Sequence, residues 1–353
     1  MFLRLEPIFF NKKNNNIFIS IITPVYNREN EIIGLLDSIE KQTIRSNEFE
    51  LIVVDDGSTD STIFNIESKI NHLNYNIRLI KQENAGPGAA RNCGVEQSKG
   101  DLIIFIDSDC EADSNWLEMI IKCFETEKFD AFGGPDSAKT DFSLLQRAIN
   151  FSLTSFLTTG GLRGHSNRPL AKFYPRSHNM GITRSLYNRV GGFGSLRHGQ
   201  DIELSQRIIN SGAKVVNIPE AIVYHRRRTT LLKFFRQVFN WGVARINLGK
   251  KNNKMLEPLH FAPAIITIVA SLITFYFFVD PINNGRLFEL GLGFLMFVSG
   301  VGAWYMKDIR GFFLLLFIIP IQIFGYGLGF ILAFIHRFIF RRSKWSGFTK
   351  SYY

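Results

Sequence analysis

The 353-residue chain has only three cysteines, Cys93, Cys110 and Cys123, and their positions give neither a metal-ligand spacing nor a paired framework. A disulfide-stapled domain and a zinc ribbon are thereby excluded, and the usage fits a chain facing a reducing cytosol. No GxGxxG follows a strand-like run, which removes a dinucleotide-binding dehydrogenase. No GxGxR-type loop follows the first strand, where TPVYNREN stands instead, which removes a nucleotidyltransferase. The N-terminus, MFLRLEPIFFNKKNNN, lacks an apolar core long enough for a signal peptide, so the polar part of the chain is expected to stay inside the cell. Nucleic-acid motifs are missing as well, although the net charge is +10. The basic residues gather beside apolar runs, in HRRRTTLLKFFRQ, LGKKNNK and HRFIFRRSKW, where they mark cytoplasmic flanks and anionic lipid headgroups; no nucleic-acid partner is expected.

Apolar residues make up 46% of the chain, and they are unevenly spread. Residues 261–279 form an uncharged run close to the roughly 20 residues that span a bilayer. Runs at 290–306 and 311–335 follow, the second broken by Pro320 and GYGLG. Three full crossings from a cytosolic start would carry the Arg-rich tail to the far side, against the positive-inside tendency. The alternative is a re-entrant or interfacial placement of the segment holding Pro320. The expected organisation is an N-terminal extension (1–16), a catalytic α/β domain (17–228), a basic amphipathic juxtamembrane segment (229–260), a membrane region of two to three helices (261–336) and a basic tail (337–353).

Within residues 17–110, apolar β-branched runs alternate with amphipathic segments. IFISIITPV, FELIVVD, IRLIKQ and DLIIFID read as strands, and ENEIIGLLDSIEKQT, STIFNIESKI and GPGAARNCGVEQSK as helices. That alternation predicts a mostly parallel sheet with helices on both faces. Residues 131–225 are less regular, with strand-like AFGG, NMGITR, AKVVNIP and AIVYH and a helix from GQDIELSQRIIN that Gly212 closes.

Ligands of such sheets bind beyond the carboxyl ends of the strands. Thr23, Tyr26, Asn27, Asp55, Asp56, Asp107 and Asp109 all fall there. In DSD, extended geometry carried through Ser108 would put Asp107 and Asp109 on one side, suited to a hard Mn²⁺ or Mg²⁺. The same three residues also serve as an ordinary strand stop. In GPGAARN the glycines let backbone approach a ligand, and Arg91 can neutralise a phosphate.

TPVYN, VDDGSTD, GPGAARNCG, DSD, NMGITR, GGFG and GQDIELSQR, in this order, resemble the family 2 glycosyltransferases of GT-A fold over residues 18–225. The layout that follows resembles membrane-anchored bacterial members that build succinoglycan and other exopolysaccharides. The resemblance implies nucleotide-sugar contacts from Thr23, Pro24, Tyr26, Asn27, Asp55, Asp56, Arg91, Asp107 and Ser108, with a UDP-sugar favoured. It implies Mn²⁺ or Mg²⁺ on Asp109, with Asp107 and His225 as further metal or phosphate contacts, and Asp201 as the base of an inverting transfer. Asn179, Met180, Gly181 and Gln200 fall in the acceptor region, and Gln200 departs from the Glu of many relatives. The QxxRW of processive synthases is absent, RQVFNWG standing in its place, so addition of one sugar is expected. An intracellular site beside membrane helices implies a lipid-linked or saccharide acceptor and a multi-pass protein of the inner membrane, its catalytic domain facing the cytoplasm. The basic loop 160–179 is one place for such an acceptor's diphosphate. The rival is an inactive, membrane-anchored scaffold that binds nucleotide sugars.

Overall fold

A computed structural model describes residues 17–159 and 173–348. Thirteen residues of the basic loop, 160–172, therefore lie outside the described residues, as do 1–16 and 349–353.

The first half follows the expected alternation: β1 (Ile19–Val25), α1 (Glu31–Glu40), β2 (Phe49–Asp55), α2 (Thr62–Ile70), β3 (Asn76–Lys81), α3 (Pro87–Glu96) and β4 (Leu102–Ile106). β1, β2 and β4 are buried throughout, as a sheet covered on both faces requires. Then come β5 (Cys110–Ala112), α4 (Trp116–Glu127), β6 (Ala131–Gly133), β7 (Asp136–Ser137), α5 (Leu144–Thr154), α6 (Phe156–Thr159), β8 (Asn179–Thr183), α7 (Arg184–Val190), α8 (Gln200–Asn210), β9 (Val215–Asn217) and β10 (Val223–His225). The main sheet has the order β3-β2-β1-β4-β8-β6-β9, parallel except for β8. Ile32, Leu36, Ile66, Trp116 and Ile120 bring α1, α2 and α4 onto one face, and Val95, Leu186 and Leu204 bring α3, α7 and α8 onto the other. A small second sheet, β5-β10-β7, sits just past the carboxyl ends of β4 and β6.

Beyond His225 the chain forms α9 (Leu231–Lys251), α10 (Ala262–Val279), α11 (Pro281–Met306) and α12 (Arg310–Phe334). Three stretches, Pro258–Val279, Gly285–Met306 and Arg310–Ile339, are long and apolar enough to cross a membrane. They are not alike in packing. α10 buries only Ala264 and Thr267, whereas α12 buries residues along its whole length, from Gly311 and Leu315 to Phe330 and Ala333. α12 runs parallel to α9: Gly325 faces Phe235 and Val238, Gly329 lies on the backbone of Phe239, and a side chain at Gly242 would strike the Tyr326 carbonyl. Glycine is required where two helix backbones meet this closely.

Both ends of α12 meet the α/β part. Arg147 of α5 pairs with Asp308 (3.8 Å) and donates to the Met306 carbonyl (3.3 Å). After α12 the chain turns back onto α9, where Asn247 donates to the Trp345 carbonyl (2.7 Å) and the Phe348 amide to Asn240 (3.0 Å).

Candidate active site

The carboxyl edge of the sheet gathers most of the expected residues, and hydrogen bonding sorts them. Asp55 ends β2; its Oδ2 accepts from the amides of Gly57 (3.1 Å) and Ser58 (3.0 Å), holding the turn of DDGS, while its Oδ1 is buried without a partner. The hydroxyl of Thr23, on the neighbouring β1, is likewise buried and unpaired. Buried acceptors are rarely left so unless a ligand fills the need. Asp56 differs. It accepts from Gln82 Nε2 (2.6 Å) and the amides of Ala85 (2.9 Å) and Gly86 (2.8 Å), so it fixes the loop that starts α3. In this structure its carboxylate positions that loop. Asn27, at positive φ, ties the two loops together by accepting from the Thr59 amide (2.8 Å), and its own amide donates to Ser58 Oγ (2.9 Å). Tyr26 is half-buried beside it, and Pro24 is buried within β1 opposite Val54.

DSD is a turn, which corrects the extended geometry. β4 stops at Ile106, the Cys110 amide donates to the Asp107 carbonyl (3.0 Å), and Ser108 is buried between. The two carboxylates therefore part company. Asp107 pairs with Arg91 of α3 (2.6 Å), whose guanidinium lies over the Phe193 ring. Asp109 lies 3.2 Å from His225 Nε2 and 3.7 Å from Arg28. Burial alone would raise the Asp109 pKa, but His225, then Arg28 and Arg228, hold it well below the usual carboxylate range. His225 moves the other way: burial would lower it, and the Asp109 charge more than restores the proton.

These residues fit a divalent cation. Asp109 Oδ1 and His225 Nε2 converge as one oxygen and one nitrogen donor, and the other ring nitrogen of His225 lies between Arg227 Nη1 (3.1 Å) and the fully buried Asp136 (3.5 Å). A carboxylate behind a ligating histidine sets ring orientation and ligand basicity. Cys110 is near enough to join, but burial pushes its thiol well up, and a protonated thiol is a poor partner for a hard ion.

Asp201 opens α8 behind Gly199, in the left-handed region (φ 78°), with Arg176 3.8 Å away. Gln200, immediately before it, is buried against α3; a methyl at Gly88 would come 2.6 Å from its Oε1. The loop at the head of α3 and the helix carrying Asp201 therefore touch. Asn179, Met180 and Gly181 do not face the cleft. The Asn179 amide donates to the carbonyls of Pro135 (3.1 Å) and Ala221 (2.7 Å) and accepts from Trp116 Nε1 (3.0 Å). Met180 lies in the core, and Gly181 is pressed against the Phe132 ring. All three are engaged in packing: β8 lies between β4 and β6, so its residues are enclosed.

The family model for glycosyl transferase family 2 matches residues 20–191. Glycosyltransferase AglE of Haloferax volcanii is 30% identical over 243 residues, 66% of this chain and 77% of that protein. The putative glycosyltransferase EpsH of Bacillus subtilis is 36% identical over 260 residues, 68% of this chain and 71% of its own. The chain belongs to glycosyltransferase family 2. Among solved structures, a mannosyltransferase of Pyrobaculum calidifontis in complex with GDP-Man and Mn²⁺ shares the fold, with a TM-score of 0.62, 17% identity, and 85% of this chain and 86% of that one covered. The enzyme is thus a glycosyltransferase of GT-A fold.

Several residues of this glycosyltransferase site escaped the sequence reading. Arg28 and Arg228 face Asp109, while Asp136 receives Arg227 (2.6 Å), His178 (3.7 Å) and His225. The clue for Asp136 was present: an acid directly after the Gly-Gly-Pro that ends β6. Asp55 and Asp56, adjacent and both acidic, give a direct test. Asp55→Asn swaps the free acceptor for a donor and is expected to weaken nucleotide binding by about 10- to 100-fold in calorimetry, the worth of a charged hydrogen bond. Asp56→Ala should instead lower the unfolding midpoint, at a cost of about 1–3 kcal/mol. The reverse pattern would refute the division of labour.

Proposed function

We propose that the protein is an inverting, metal-dependent glycosyltransferase that moves one sugar from a nucleotide-sugar donor, with UDP favoured, to a lipid-linked acceptor in cell-envelope or exopolysaccharide synthesis. The observation that carries the donor assignment is the pair of buried, unpaired acceptors, Thr23 Oγ1 and Asp55 Oδ1, at the carboxyl edge of adjacent strands. Asp55 suits an N–H of a uracil-like base or a ribose hydroxyl, and a buried acceptor of this kind selects by penalising ligands that lack the donor. The diphosphate then faces Asp109 and its flanking Arg28 and Arg228. A Mn²⁺ or Mg²⁺ held by Asp109 and His225 would supply Lewis-acid neutralisation of the leaving diphosphate. Asp201 takes the proton from the acceptor hydroxyl, whose oxygen forms the new bond to the anomeric carbon as the bond to the diphosphate breaks. The test is nucleoside diphosphate release from a panel of nucleotide sugars by detergent-purified protein with lipid-linked acceptors. Turnover of one donor only with divalent metal is expected, and a folded protein that binds no nucleotide sugar refutes the reading.

The catalytic unit is taken as residues 17–228, on the cytoplasmic face of the inner membrane. The packing supports two crossings and one in-plane helix. Among the described residues α10 and α11 are largely exposed along their far halves and pack on α12 nearer their bases, as at Thr267 with Ile323, Gly302 with Leu315, and Leu295 and Val298 in the same apolar cluster as Ile318. At 22 residues each, the two apolar stretches reach about 33 Å, enough for the hydrocarbon core. α12 shares its direction with α9, whose Lys233, Arg236, Lys250 and Lys251 cannot cross. With α12 in plane, Lys254, Lys307, Arg310, Arg341, Arg342 and Lys344 all fall on the catalytic side, as the positive-inside tendency favours. In right-side-out spheroplasts, a cysteine replacing Arg286 should react with an impermeant maleimide and one replacing Lys344 should not; labelling of both would restore three crossings.

A further inference from the structure

Two arginines gather behind Asp201. Arg176, in the segment before β8, lies 3.8 Å from Asp201, and its Nε is buried with no hydrogen-bond partner. Arg245 reaches the same place from α9. It is buried, donates to the Met255 carbonyl (3.3 Å) and stands beside Tyr326 of α12. Desolvation lowers the Arg176 pKa, Asp201 pulls it back up, Arg245 lowers it by repulsion, and Asp136 adds a weaker pull upward. Tyr174 stands beside both arginines, its hydroxyl already donated to Gln206 (2.9 Å). Glu257, 3.4 Å from the Tyr174 hydroxyl, closes a capping box with His260. Arg245 is buried while the Arg176 side chain keeps 31% of its surface exposed, so the pair presents guanidinium donors at an open edge beside Asp201, where a further anion can be bound.

We propose that Arg176, Arg245 and Tyr326 hold the phosphate or diphosphate ester of an acceptor seated in the bilayer. The charge fits: paired guanidinium groups match phosphate oxygens with parallel N–H donors, and a tyrosine hydroxyl adds a neutral one. The location selects a membrane-borne ester. Tyr326 sits on α12 next to Gly327, against which Pro263 and Thr267 at the base of α10 are packed, so one wall of the site is a membrane helix. The donor's diphosphate has its own cations, Arg28 and Arg228, around Asp109. This assignment rests on the reading of Asp201 as the base and deepens it by naming what brings the hydroxyl there.

The test uses full-length protein in detergent with EDTA, titrated with farnesyl diphosphate, farnesol and inorganic pyrophosphate, while UDP with Mn²⁺ is titrated separately. Farnesyl diphosphate is expected to bind, farnesol not to, and pyrophosphate to bind at least tenfold more weakly. Arg176→Gln and Arg245→Gln should each cost about tenfold or more in farnesyl diphosphate affinity, as loss of a charge-assisted contact does. Should a glutamine variant unfold, the lysine variant at that position carries the test, with a several-fold loss expected because an ammonium lacks the fork. Unchanged affinity in the variants, or no farnesyl diphosphate binding by the folded parent, overturns the proposal. Pyrophosphate binding as tight as farnesyl diphosphate would mark a site for free anions and overturns it too. A parent that binds farnesyl diphosphate but not UDP leaves this site standing and refutes the donor reading instead.

Discussion

Asp201→Asn is expected to lower kcat for sugar transfer by about 10²–10⁴-fold, the usual worth of a general base. Nucleotide affinity should stay within about twofold, because Asp201 lies at the head of α8 and the nucleotide residues lie on β1 and β2. The fold should survive. Among the described residues the Asp201 carboxylate accepts from the Ile202 amide (2.9 Å) and pairs loosely with Arg176, and an asparagine oxygen can take over the first of these. Rates with the matched donor and acceptor, alongside calorimetric UDP binding, check both halves. A kcat within tenfold of the parent would remove Asp201 as the base.

The second large effect is expected at Asp109. Asp109→Asn should cost about 10²-fold or more at fixed Mn²⁺, since Lewis-acid stabilisation of a leaving group is worth several kcal/mol. EDTA should abolish transfer by the parent. The substitution also leaves His225 without its anionic neighbour at 3.2 Å, so raising Mn²⁺ is expected to restore only part of the rate. His225→Asn makes the finer point. An imidazole donor suits Mn²⁺ better than Mg²⁺, and an all-oxygen set does not, so the parent is expected to work better with Mn²⁺ than with Mg²⁺ and the variant to show a smaller difference. Transfer unaffected by EDTA would exclude the metal role for both residues.

Much of this was legible in the sequence where local chemistry fixes structure. The alternation of β-branched runs and amphipathic segments placed β1 to β4 and α1 to α3, and the glycine that starts α3 sits at φ 92°. The helix carrying Asp201 begins and ends where its acids and Gly212 indicated. What stayed hidden depends on long-range pairing. Asp55 and Asp56 are alike as neighbours in a sequence, and only the amides of Ala85 and Gly86, thirty residues on, separate them. Asn179 follows a run of polar residues and reads as a loop side chain until β4 and β6 enclose it. Arg28, Asp136, His178 and Arg228 come together only because four separate segments end at one edge of the sheet. Hydropathy gave α12 the length of a crossing, but its direction comes from the glycines that let it lie on α9.

The contact of Arg176 with Asp201 has a consequence for product length. If the acceptor is gripped by its phosphate next to the base, the hydroxyl that reacts belongs to the sugar nearest the lipid. The newly added sugar then carries its own hydroxyls one residue farther from the bilayer, out of register with Asp201. On that proposal the membrane would serve as a ruler, and the enzyme would stop after one addition because the next hydroxyl would stand at the wrong height.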